Sequence, residues 1–182
     1  MKKLPLKKSI LALVSTLLLV CSCANFSLHE YSSDDLLLKN INSEYVSFRE
    51  LSGEQITLLH FWSTWCKTCE HELITLRNLN NQIQDNRFKI VSVALDSKID
   101  DVKKVKNRHG LNFEMLTDSE NKLKRLYKVK NVPQTLLLSS NLKPMKFTEP
   151  ETQKTVSITN GPQSWDRMDT ARYFKDLLGS LP

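Results

Sequence analysis

The sequence predicts an α/β protein, with a central mixed β-sheet flanked by helices and an N-terminal β-hairpin added to it. Three observations predict this. Ile56 to Trp62 and Phe88 to Leu95 are nearly continuous apolar runs, the pattern of strands covered on both faces. Leu73, Leu76, Leu79 and Ile83, then Ile99, Val102 and Val105, recur at helical spacing. The order strand, helix, strand, helix, then two strands and a helix belongs to a layered sheet with an antiparallel edge.

The 182 residues suit one domain of ordinary size. Lys2, Lys3, Lys7 and Lys8 precede an apolar run from Ile10 to Val20. That run is short of the ~20 residues needed to cross a bilayer. A basic start, a short apolar core and small residues after it describe a secretory signal over residues 1–24. Val20-Cys21-Ser22-Cys23 resembles a bacterial lipobox, which would make Cys23 the lipidated N-terminus. Ordinary cleavage after Ala24 and an uncleaved anchor are the other readings. Each puts the body outside the cytoplasm, in the periplasm of a bacterium. Residues 25–34 read as a polar tether and 35–182 as the folded domain.

Within that domain, Leu36 to Leu38 and Tyr45 to Phe48 read as two short strands around the turn Asn40-Ile41-Asn42-Ser43. Gly53 marks the next turn, before the strand Ile56 to Trp62. A helix begins near Cys66, and Phe88 to Leu95 is the second buried strand. The helix through Ile99, Val102 and Val105 stops near Gly110. Phe113 to Leu116 is extended. Leu123, Leu126 and Tyr127 mark a helix that Asp118 or Ser119 could cap. Thr135 to Leu138 is the third central strand, after Pro133. Lys146 to Phe147 and Val156 to Ile158 read as antiparallel strands around the loop Glu149 to Thr152. Gly161-Pro162 ends the sheet, and Met168 to Leu178 is the last helix.

Charge excludes one class of function. Four of the 26 basic residues lie in the first eight positions, and without them the excess over the 20 acidic residues falls from six to two. The body is nearly balanced and has no basic stripe with interleaved aromatics, so nucleic-acid binding has no support.

Four cysteines are present. Cys21 and Cys23 belong to the targeting segment, leaving Cys66 and Cys69 to the body. Two residues between them make no framework for a small fold. An exported pair meets an oxidising compartment and can cycle. A thiolate is the nucleophile in disulfide exchange. The free N–H groups and dipole at the start of a helix favour negative charge on Cys66, and Lys67 adds a positive neighbour. Cys69, one turn further in, can resolve what Cys66 attacks. Two other uses stay open. A static bridge closes a tiny loop and adds little stability. Half of a zinc site would need further ligands, with His71 and His109 the nearest candidates.

The stretch Leu58-Leu59-His60-Phe61-Trp62-Ser63-Thr64-Trp65-Cys66-Lys67-Thr68-Cys69 resembles the active-site segment of thioredoxin-like proteins of the TlpA/ResA family. Val132-Pro133-Gln134-Thr135 is similar to the family's cis-proline loop, and Gly161-Pro162 followed by Trp165 to the start of its last helix. The likeness runs from about Leu36 to the C-terminus. It implies a thioredoxin fold and extracytoplasmic thiol–disulfide oxidoreductase activity, with the Cys66/Cys69 dithiol as the redox centre and no cofactor or metal.

The resemblance also implies roles. Pro133, in a cis bond, would face the cysteines, and the backbone of Val132 would pair with an extended substrate. Trp65 would lie on the substrate surface and Trp62 in the packing. Glu72 matches the acid that ResA-like members carry after the second cysteine, where a partly buried carboxylate can hold a proton near sulfur. Glu70 shares the segment and competes for that role. His60 stands where cytoplasmic thioredoxins have a buried Asp. As a neutral imidazole it could take the proton of Cys69, or it could be a hydrogen-bonded core histidine.

The implied reaction reduces disulfides of exported proteins, apocytochrome c being one such substrate, with electrons from a membrane donor of the DsbD/CcdA type. A monomer is expected. An oxidase running in reverse and a Cu(I)-binding thioredoxin-like protein are the alternatives. The chain departs from the family at Thr68, where many members have Pro. Its Ser139 to Val156 segment is longer than usual.

Overall fold

The computed structural model describes residues 36–95 and 98–181. The expected signal, tether and lipidation site at Cys23 lie outside them. The hairpin comes first, with β1 (Leu37–Asn40) antiparallel to β2 (Tyr45–Ser47). Its turn is held by Asn40, whose side-chain oxygen accepts from the N–H groups of Asn42 and Glu44 at 2.8 and 3.0 Å, a short polar side chain imitating a backbone turn. A single helical turn, α1 (Phe48–Leu51), follows and was not expected. Four residues are too few to show helical periodicity.

The central strands are β3 (Ile56–Trp62), β4 (Phe88–Ala94) and β5 (Glu114–Thr117), all parallel. β6 (Gln134–Ser139) runs antiparallel to β3, and β7 (Pro144–Met145) to β6. With the hairpin joined to β5 through β1, the sheet has seven strands in the order β2-β1-β5-β4-β3-β6-β7. Every residue of β3 is buried, as its apolar run predicts.

The antiparallel strands expected at 146–147 and 156–158 are present, at 147–148 and 155–156. β8 (Phe147–Thr148) and β9 (Thr155–Val156) pair with each other in a separate two-stranded ribbon. The sheet edge is instead β7, which begins at a proline, as an edge strand tolerates.

Long helices connect the parallel strands: α2 (Lys67–Ile83) after β3 and α3 (Ile99–His109) after β4. Asp100 and Asp101 open α3, and Lys106, Arg108 and His109 close it, each sign matching the helix dipole. Gly110 ends it at φ 56°, a left-handed conformation that glycine adopts without a Cβ clash. The short α4 (Lys122–Leu126) is capped from a distance, because Asp118 accepts from the N–H groups of Lys122 and Lys124 at 2.6 and 2.9 Å. The chain ends in α5 (Met168–Ser180).

Side chains alternate across β3. Ile56, Leu58 and Trp62 join a core with α2, α3 and α5, including Leu73, Leu76, Val102 and Phe174. Leu59 and Phe61 join the opposite core with Phe48, Leu123 and Tyr127. His60 shares the even-numbered face, so the pleat carries an imidazole beneath α2.

Candidate active site

Cys66 is the N-cap of α2, with extended backbone (φ −91°, ψ 98°). It ends the turn that leaves β3, its N–H donating to the Ser63 carbonyl at 3.1 Å. Its sulfur accepts the N–H of Cys69 at 3.2 Å. The two sulfurs are bonded as a disulfide, with their Cα atoms 5.2 Å apart. The Thr68 hydroxyl donates to the Cys66 sulfur at 3.4 Å. Cys66 keeps 8% of its surface exposed and Cys69 none, while Trp65 beside them is 70% exposed. A thiolate formed on Cys66 would receive an orphan helix N–H, the hydroxyl and the helix dipole together. Cys66 thus keeps a small exposed fraction that Cys69 lacks.

The Val132–Pro133 bond is cis, as the resemblance implies. The Gln134 side chain fastens this loop, its oxygen accepting from the N–H groups of Lys130 and Asn131 at 2.9 and 3.2 Å. The same amide donates to Asn160 at 2.6 Å. Pro133 is buried and Val132 half-buried, just before the first residue of β6.

A buried polar cluster lies between β3 and α2. His60 pairs in register with Thr135 on β6 and Ser92 on β4, so the three form a row across the sheet. His60 Nδ1 is 2.9 Å from the Thr135 hydroxyl oxygen and 3.8 Å from Glu72 Oε1. Glu72 is 1% exposed, and its Oε1 accepts the indole N–H of Trp165 at 2.6 Å. Among the described residues, His60 Nε2, Glu72 Oε2 and the Ser92 hydroxyl are buried without a hydrogen-bond partner.

Burial sets the charge of this cluster. Loss of solvent pushes Glu72 up to about 8, more than the Trp165 N–H pulls it down. The same loss lowers His60 to about 3. Near neutrality the carboxyl therefore holds its proton and the imidazole carries none beyond its neutral complement.

Glu70 is separated from this chemistry. It accepts from Arg108 at 2.8 Å and lies 2.5 Å from His109 Nε2, tying α2 to α3. The His109 hydrogen bond holds its carboxyl below the usual range. Glu72, not Glu70, thus turns inward. Among the described residues, no group of three or more His, Cys, Asp or Glu side chains converges as a metal site. Sequence reasoning missed the Trp165–Glu72 bond. Its one available signal was an indole N–H in a buried position, which needs an acceptor.

Residues 30–152 match the AhpC/TSA family. The chain belongs to the AhpC/TSA family. Similar curated relatives include thiol-disulfide oxidoreductase ResA of Halalkalibacterium halodurans, 26% identical over 146 residues, 77% of this chain and 82% of that one. ResA of Bacillus thuringiensis is 28% identical over 146 residues, covering 74% and 84%. Among solved structures, StoA from Bacillus subtilis has a TM-score of 0.55 at 24% identity, covering 79% of this chain and 95% of that one. A DsbE thiol:disulfide interchange protein from Chlorobium tepidum has a TM-score of 0.61 at 22% identity, covering 81% and 96%. The fold is that of thioredoxin. This AhpC/TSA-family chain is a thiol–disulfide oxidoreductase.

Proposed function

We propose that the chain reduces disulfides of exported proteins. The observation that carries this reading is the asymmetry of the pair, a Cys66 that keeps 8% of its surface at the helix N-cap and a fully buried Cys69. In the dithiol form the Cys66 thiolate attacks a substrate disulfide, forms a mixed disulfide and expels one substrate thiolate. Cys69 loses its proton and attacks the Cys66 sulfur, forming the Cys66–Cys69 bond and expelling the second substrate thiolate. Two electrons pass from protein to substrate, and both substrate sulfurs leave as thiols.

Glu72 and His60 act as the proton-handling pair behind Cys69. Glu72 holds the proton near neutrality, while burial keeps His60 neutral and a weak acceptor. Trp65, Val132 and Pro133 form the substrate platform, with the Val132 backbone pairing to an extended segment. A membrane donor of the DsbD/CcdA type restores the dithiol, and lipidation at Cys23 holds a monomer at the periplasmic face of the membrane. Apocytochrome c is a candidate substrate. Among the described residues, no helix is long and apolar enough to cross a membrane.

The test is a trap. Cys69→Ala in cells should accumulate mixed disulfides through Cys66 that dithiothreitol releases, and their partners name the substrate. Recovery of none defeats the reading. A reduction potential near −270 mV fits a reductant, whereas one near −120 mV marks an oxidant and would reverse the proposed direction.

A further inference from the structure

The strongest feature left unused is a groove of about 890 Å³ at the C-terminal ends of the parallel strands. In open α/β sheets ligands bind in this crevice, because the loops leaving adjacent strands diverge there. Ser63, Trp65 and Val132 form one wall. They come from the turn before Cys66 and from the cis-proline loop, so the groove lies next to the segments that flank the redox pair. Four lysines also line it: Lys39 from β1, Lys98 before α3, Lys124 on α4 and Lys130 before the cis-proline loop. No described carboxylate does.

Among the described residues, no ion pair involves any of these lysines. Lys39 Nζ sits 5.3 Å over the Tyr45 ring, which leaves its charge intact. Asp118, between the lining residues Thr117 and Ser119, is buried and already accepts from the N–H groups of Lys122 and Lys124. Glu120 pairs with Lys122 at 3.1 Å. Asp96, two residues before Lys98, lies outside the described residues. In a body of nearly balanced charge, four cations from four separate elements converge on one side of the reactive sulfur. Low-dielectric walls around charges of one sign focus the field and raise the encounter rate of an oppositely charged partner.

We propose that this groove selects disulfides carried in acidic polypeptide segments, a substrate class that rests on the reductase reading above. Trp65 offers an apolar face next to the scissile bond, and the lysines hold carboxylates flanking it.

The test uses two peptides with the same internal disulfide, one flanked by Asp and Glu and the other by Lys and Arg. Each is mixed with the reduced protein over a range of sodium chloride. The acidic peptide should react ~10-fold faster or more at low ionic strength, with the advantage shrinking as salt screens it. Lys98→Glu with Lys130→Glu, both at exposed positions, should bring the ratio to one or below. Equal rates in the unaltered protein, or a ratio unmoved by the double substitution, overturn the proposal. Failure of the unaltered protein to reduce either peptide or neutral 2-hydroxyethyl disulfide defeats the reductase reading instead. The groove is then judged by binding of the same peptides with Ser in place of Cys, followed by tryptophan fluorescence. Preference for the acidic one supports the groove, and equal binding rejects it.

Discussion

Replacing Glu72 by Gln should change how stability depends on pH, and the structure sets the size of the change. An unfolded carboxyl titrates near 4.5, whereas burial holds Glu72 near 8 in the folded protein. Between those values the folded state keeps a proton that the unfolded state has released. Stability from this group is therefore complete below pH 4.5 and is lost as pH rises to 8. At about 1.4 kcal/mol per pH unit, the loss is about 3 kcal/mol by pH 7 and about 5 kcal/mol by pH 8. Gln keeps an oxygen for the Trp165 N–H but does not ionise. Its unpaired amide adds a constant cost of about 1–3 kcal/mol, so the slope is the readout. Urea unfolding of the oxidised protein at intervals from pH 5 to 8.5 should show the variant gaining on the unaltered protein by several kcal/mol. Parallel profiles would mean that Glu72 is ionised throughout, and the account of a protonated carboxyl behind the disulfide would fail.

Four other outcomes are expected. His60→Asn should flatten the acid limb, because the depressed imidazole adds stability that is complete above pH 6.5 and lost as pH falls toward 3; urea midpoints at pH 4 and 6.5 measure it. Thr68→Ala removes the hydroxyl 3.4 Å from the Cys66 sulfur, and should slow alkylation of reduced Cys66 at pH 7 by about three- to tenfold, read with iodoacetamide. Gly53→Ala would put a Cβ 2.1 Å from the Ile56 carbonyl oxygen and 2.8 Å from that of Arg87. Both atoms are backbone and cannot yield, so the loss should be about 3 kcal/mol in denaturant unfolding. Gly110→Ala, at positive φ but in open space, should cost only about 1 kcal/mol.

What could be read in advance divides by the range of the contact. β3, α2 and the Cys66–Cys69 spacing are local patterns, and each appears where the sequence places it. His60 was legible as buried because it interrupts an apolar strand. Its neighbours were not, since Thr135 reaches it only through strand pairing 75 residues away. Trp165 and Glu72 are 93 residues apart, and their bond depends on where the segment before α5 crosses α2. How the 139–156 segment relates to the main sheet depends on range in the same way. Short runs near Lys146 and Val156 show period-two character, but the sequence does not say whether such strands join the sheet or each other. The lysine groove was the least visible feature. Its four cations belong to four elements, and a nearly neutral total charge conceals where charges gather.

The surroundings of the disulfide also bear on direction. A dithiol becomes a strong oxidant when its reduced form is stabilised, chiefly through a very acidic first thiol. Here the Cys66 sulfur receives one N–H at 3.2 Å and one hydroxyl at 3.4 Å. Among the described residues, no lysine or arginine is buried. His60 is neutral by burial, and Glu72 gains negative charge as pH rises through about 8. A carboxylate forming there disfavours a second anion on Cys69, which works against storing the pair as thiolates. The lysines lie in the groove in front of the pair, where they act on an arriving substrate. Weak stabilisation behind the sulfurs is what the proposed reductase reading needs, whereas cations close to Cys66 would by themselves steady its thiolate and pull the other way.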